Sequence, residues 1–184
     1  MSNEICDQII LSDGRRLSFA EFGDRQGKPV FYFHGFPGSR LEAKLAARIA
    51  IDTRVRFIAI DRPGYGLSSF KPGRTFIDWA DDLIGLADTL GVDRFSILGV
   101  SGGGPYAAAC AYKISHRLDA VGIMCGMGPV DVPGLLSDMP WMYRQGLRLA
   151  RRLPKMATAL YPFSAFFFRY YPGRMLSIVS GKVA

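Results

Sequence analysis

The chain has 184 residues, 49% of them apolar, which is enough to bury the core of one domain and too apolar for a disordered segment. The net charge of +7 is uneven: residues 1–138 carry 15 Lys/Arg and 16 Asp/Glu, whereas residues 139–184 carry 8 Lys/Arg and no acid. The basic character therefore marks a boundary near Pro140, and its arginines form no recognisable nucleic-acid module.

Cys6, Cys110 and Cys125 lack metal-ligand spacing and read as reduced thiols of a cytoplasmic protein, the last two as core filler in apolar runs. Residues 1–5 lack the basic and apolar regions of a secretory signal, and no run of about 18 apolar residues predicts a membrane span. The pattern calls for no metal and no cofactor.

Residues 8–11 and 16–22 predict two strands joined at Ser12-Asp13-Gly14, the second alternating apolar and polar residues like an outer antiparallel strand. Pro29-Val30-Phe31-Tyr32-Phe33 is continuously apolar, as suits a strand buried on both faces, and it runs into His34-Gly35-Phe36-Pro37-Gly38. Ser39 caps a predicted helix over 40–50. A buried strand over 54–60 leads into Asp61-Arg62-Pro63-Gly64-Tyr65-Gly66-Leu67-Ser68. Thr75 and Asp78 form a capping-box pattern before a helix with Trp79, Leu83, Leu86 and Leu90 on one face, ending at Gly91. Strands over 94–98 and 119–125 flank a small-residue helix from Gly104. Strands alternating with helices imply βαβ units: a mostly parallel sheet with helices on both faces. The loops at the carboxyl ends of such strands build the active site, so His34–Gly38, Asp61–Ser68 and Gly99–Gly103 are expected to converge. From Pro133 the pattern changes to short helices with aromatic faces and basic backs, interrupted at Pro154.

Gly99-Val100-Ser101-Gly102-Gly103 lies between an apolar strand and that helix. A serine on so sharp a turn needs small residues two positions either side, which Gly99 and Gly103 supply. The helix start directs N–H groups and a positive dipole end at the serine, which suits an oxyanion. Among other candidates, His34 reads as a brace of its own loop and His116 as a solvated helix-end residue. Asp61 reads as an organiser of backbone N–H groups, and Asp131 as a candidate acid with no histidine to orient.

Taken together, the loops at 34–38, 61–68 and 99–103 resemble the α/β-hydrolase superfamily over roughly residues 8–130. The resemblance implies an α/β-hydrolase core over 1–132 followed by the start of a helical cap over 133–184. It implies that Ser101 is the nucleophile and that the N–H groups of Phe36 and Gly102 form the oxyanion hole. It places His34 and Gly35 in the substrate-binding loop. The implied activity is hydrolysis of small carboxylic esters or amides through an acyl-Ser101 intermediate. Serine rather than aspartate at the turn argues against the epoxide-hydrolase and dehalogenase branches. The family order of serine, acid, histidine is incomplete here, since neither His34 nor His116 matches the catalytic histidine. The chain therefore reads as the N-terminal part of a hydrolase, or as an inactive fragment that binds a ligand or needs a partner chain. Without later strands, the strand over 119–125 is an exposed edge that favours oligomerisation.

Overall fold

A computed structural model describes residues 5–129, 132, 134, 137, 139, 141–171 and 173–174. The chain divides into two compact units, residues 1–128 and 129–184. The first is built on six strands: β1 (Ile5–Ile10), β2 (Arg16–Gly23), β3 (Lys28–Phe33), β4 (Val55–Ile60), β5 (Phe95–Val100) and β6 (Leu118–Met124). Their spatial order is β1-β2-β4-β3-β5-β6. The first two pairings, β1 with β2 and β2 with β4, are antiparallel, and the rest are parallel.

Both faces of the central strands are covered. Phe31, Phe33, Ile58, Ile60, Phe95 and Ile97 point to one side, against Trp79, Leu83 and Leu86 of α2 (Trp79–Thr89) and Ala107 and Cys110 of α3 (Gly104–Lys113). Tyr32, Phe57 and Ala59 point to the other side, against Ala43, Ala47 and Ala50. A strand covered on both faces gains from apolar residues at every position, which is why β3 and β4 lack alternation. Phe33 pairs with Ile60 on one side and Gly99 on the other, so β3, β4 and β5 end level and their loops emerge side by side.

Several expectations are corrected. β2 is not an outer strand: it lies between β1 and β4 with six consecutive buried residues. Its polar positions are satisfied internally, Ser18 donating to Asp61 (2.6 Å) and Glu21 accepting from Arg56 Nε (2.7 Å). The expected helix over 40–50 splits into a tighter 3-10 segment, Arg40–Ala46, and α1 (Ala47–Asp52). Ser39 caps that segment, its Oγ accepting from the Leu41 N–H at 3.3 Å. The capping box forms, with the Thr75 N–H donating to Asp78 (2.7 Å) and the Asp78 N–H to Thr75 Oγ1 (3.4 Å), on the turn just ahead of α2. Gly91 follows α2 at φ +66°, a left-handed stop.

Cys110 is buried in the core, where burial pushes its thiol up to about 12. Cys125 is not core filler; it is exposed, because β6 pairs only with β5 among the described residues and its faces are largely open. Val121, Ile123 and Met124 are exposed along it.

In the second unit, α4 (Trp141–Arg152) is followed through Leu153 by α5 (Pro154–Tyr170). The separate short helices expected beyond Pro154 are one helix of 17 residues. Met156, Leu160, Phe163, Phe167 and Tyr170 recur at helical spacing in one continuous stripe, and the helix runs on past Pro162, the residue at which the pattern ends it. Pro154 falls in its first turn, where a proline is tolerated. Asp131, Pro133, Leu135, Leu136, Pro140 and residues 175–184 lie outside the described residues. Among the described residues, no helix is long and apolar enough to cross a membrane.

Candidate active site

Ser101 sits where β5 turns into α3, with φ +49°. That left-handed backbone is costly for a residue with a Cβ, and it persists only where the surroundings impose it. They do so here. A Cβ on Gly99 would lie 2.7 Å from the Gly103 carbonyl oxygen and 2.8 Å from Ala107 Cβ. A Cβ on Gly103 would collide with the Phe33 carbonyl at the end of β3. The turn is thus wedged between its own helix and the neighbouring strand, and only glycine fits two residues either side of the serine.

The loop after β3 closes over this turn. A Cβ on Gly35 would lie 3.4 Å from Ser101 Cβ, and one on Gly102 would lie 3.4 Å from the Phe36 nitrogen. The structure therefore brings together Ser101, Gly102, Gly35 and Phe36, from loops that the sequence separates by more than sixty residues. The Phe36 side chain is exposed, whereas Gly35 and Gly102 are buried.

His34 stands behind this loop. Its Nδ1 lies 2.8 Å from the Gly35 carbonyl, and its Nε2 accepts the Arg62 N–H at 3.3 Å. A carbonyl opposite Nδ1 and an N–H opposite Nε2 select the neutral tautomer protonated on Nδ1. Burial, and next the Arg62 charge, lower its pKa to about 4. The ring has no exposed surface. His116 is exposed on the turn beyond α3, whose ten residues put it about 15 Å from Ser101.

Asp61 is wholly buried and fully engaged. It accepts from Ser18 Oγ (2.6 Å), the Arg40 N–H (2.7 Å), the Leu67 N–H (3.1 Å) and the Arg40 guanidinium. It organises the loop and has no face toward Ser101's surroundings to spare for chemistry.

Two residues of this site escaped the sequence reading. Glu42 accepts the Gly35 N–H at 3.1 Å and anchors the loop from the 3-10 segment. Arg62 is buried, donating from Nη2 to the Gly35 carbonyl (2.9 Å) and from Nη1 to the Gly102 carbonyl (3.2 Å). Its guanidinium carbon also lies 4.6 Å from the Tyr65 ring centre and 4.9 Å from that of Tyr106. The available signal was a second charged residue, next to Asp61 after a buried strand, inside a Gly/Pro-rich loop.

The chain is 31% identical over 144 residues to a proline iminopeptidase of Xanthomonas citri, covering 74% of this chain and 42% of that protein. It is 31% identical over 150 residues to a 2-hydroxymuconate semialdehyde hydrolase of Pseudomonas putida, covering 78% and 52% respectively. Among solved structures, the epoxide hydrolase CorEH without ligand matches with a TM-score of 0.72 at 24% identity, over 86% of this chain and 55% of that one. The chain thus spans about half the length of the relatives it matches. The profile of the alpha/beta hydrolase fold matches residues 28–179. With that match over most of its length, and with a mostly parallel sheet bearing its three loops at one end, the chain belongs to the α/β-hydrolase fold family.

Proposed function

We propose that this chain is the nucleophile-bearing part of a serine hydrolase acting on carboxylic esters or amides. The observation that carries the reading is the left-handed Ser101 between β5 and α3, with the Phe36 and Gly102 amides beside it. In this reading the Ser101 hydroxyl oxygen attacks the substrate carbonyl carbon, and the carbonyl oxygen takes up the negative charge. The N–H groups of Phe36 and Gly102 stabilise that oxyanion, helped by the amino-terminal end of α3. The leaving group departs with a proton, and water then releases the acid from acyl-Ser101.

A base must take the serine proton, and the described histidines are unsuited to it. His34 has both nitrogens engaged and is far weaker as a base than an ordinary histidine, and His116 lies at the other end of α3. We therefore assign the acid and the base to a further stretch of polypeptide. The second unit, with its aromatic stripe on α5, is read as the start of a helical cap. Relatives named as an iminopeptidase and a semialdehyde hydrolase are compatible with acyl chemistry. Epoxide hydrolases are also among the relatives, but a serine hydroxyl at the turn favours an acyl ester.

A fluorophosphonate probe tests the reading. With the stretch that supplies the acid and base present, it is expected to label the wild type and not Ser101→Ala; equal labelling of the two overturns it. A second reading rests on β6, whose exposed edge suits pairing with a partner chain that completes the sheet of an otherwise inactive fragment. It expects oligomers by light scattering, and a monomer that melts cooperatively counts against it.

A further inference from the structure

Arg62 is a buried cation that makes no salt bridge among the described residues. Asp61, next to it in the chain, is already paired with Arg40. The guanidinium of Arg62 has instead two backbone carbonyls and two aromatic faces, and its Nε has no hydrogen-bond partner. Burying an uncompensated charge is costly, and replacing such a group by an apolar one is often neutral or stabilising. Its placement calls for another explanation, and the two carbonyls supply one.

Each peptide unit joins the carbonyl of one residue to the N–H of the next. The Gly35 carbonyl belongs to the unit that presents the Phe36 N–H. It accepts from the Arg62 guanidinium at 2.9 Å and from His34 Nδ1 at 2.8 Å. A charged donor on a carbonyl polarises the whole unit and strengthens its N–H as a donor, by an estimated 10–30% or so per bond in a chain. The Ser101 carbonyl, which belongs to the unit presenting the Gly102 N–H, accepts from the Met127 N–H at 3.1 Å and from the Gly104 N–H. Both amides beside Ser101 thus have their far ends held. The difference is that Phe36 is backed by a cation and Gly102 by two neutral amides. With its other arm Arg62 grips the Gly102 carbonyl at 3.2 Å, so one rigid fork spans the loop after β3 and the turn after β5.

We propose that Arg62 is a positioning residue of the oxyanion hole, polarising the Gly35–Phe36 peptide and fixing the spacing between the Phe36 and Gly102 amides. This rests on the serine-hydrolase reading for its purpose, though not for its physical content. Tyr65 and Tyr106 hold the guanidinium plane between their rings, and burial keeps water from screening it.

The test uses the whole 184-residue chain, uniformly labelled with nitrogen-15, as wild type, Arg62→Met and Arg62→Lys. Arg62 touches the carbonyls preceding the Phe36 and Gly103 nitrogens, and not the one preceding Gly102. In Arg62→Met the Phe36 and Gly103 amide nitrogens are expected to move upfield while that of Gly102 holds. In Arg62→Lys, whose single ammonium lacks the fork, only one of the two is expected to move. An unmoved Phe36 resonance in both variants, or all three amides shifting together in both, overturns the proposal. Fluorophosphonate labelling of Ser101 is expected to slow about tenfold in Arg62→Met, less than the loss of a whole oxyanion donor, and to recover in part in Arg62→Lys. If the wild type fails to label even when joined to the stretch that supplies the acid and base, the hydrolase reading fails, while the resonances still decide whether Arg62 polarises the loop.

Discussion

Replacing His34 by glutamine isolates the energetic consequence of a histidine buried in its neutral form. Glutamine keeps a donor for the Gly35 carbonyl and an acceptor for the Arg62 N–H, and does not titrate. The His34 pKa falls from 6.5 in the unfolded chain to about 4 in the folded one, chiefly through burial. Above pH 6.5 both states are neutral and the native contacts are fully present. As pH falls below that value the unfolded chain takes up a proton that the folded one refuses, so stability falls until the folded pKa is reached. One pKa unit corresponds to about 1.4 kcal/mol, so the wild type is expected to lose about 2 kcal/mol by pH 5 and about 3 kcal/mol by pH 4 from this group. Urea unfolding of wild type and His34→Gln at matched pH values reads the difference directly, and other titrating groups cancel. The gap between the two proteins is expected to shrink, and reverse in favour of glutamine, as pH falls from 7.5 to 4. A gap constant to within about 0.5 kcal/mol would refute a neutral buried His34.

Arg40→Met leaves the Asp61 carboxylate buried without its guanidinium, and is expected to cost about 3–5 kcal/mol in urea unfolding at pH 7. A loss below about 1 kcal/mol would show that the remaining donors, Ser18 and the Arg40 and Leu67 N–H groups, satisfy Asp61 alone. In a Cys6→Ser variant, a thiol reagent is expected to modify Cys125 rapidly and Cys110 only on unfolding, because Cys110 is buried and its thiolate disfavoured. Rapid titration of two thiols in the native protein would contradict that packing.

How far the fold could be read from the sequence follows from how local each constraint is. The runs Val30–Phe33 and Phe57–Ile60 declare buried strands because burial on both faces leaves no polar position. The turn at Ser101 is legible at Gly99 because the atoms a Cβ would meet there, the Gly103 carbonyl and Ala107 Cβ, lie within eight positions along the chain, whereas the obstacle at Gly103 is the distant Phe33 carbonyl. β2 misled because Ser18 and Glu21 look like a solvated face. Their partners, Asp61 and Arg56, lie 43 and 35 residues away, and no local pattern announces the pairing. Arg62 was missed for the same reason: its acceptors are main-chain carbonyls that carry no sequence signature. Cys125 looked like core because its strand is apolar, but an edge strand covered little on either face exposes such residues.

Under the proposed serine-hydrolase reading, the positive φ at Ser101 sets stability against chemistry at a single position. A side chain in the left-handed region costs of order 1–3 kcal/mol, and glycine at residue 101 would relieve that strain. A stability screen of this protein, blind to turnover, would therefore enrich glycine at position 101 and steadily discard the hydroxyl. Thermostabilisation of this scaffold has to hold that residue constant and seek its gains elsewhere, for instance along the open face of β6.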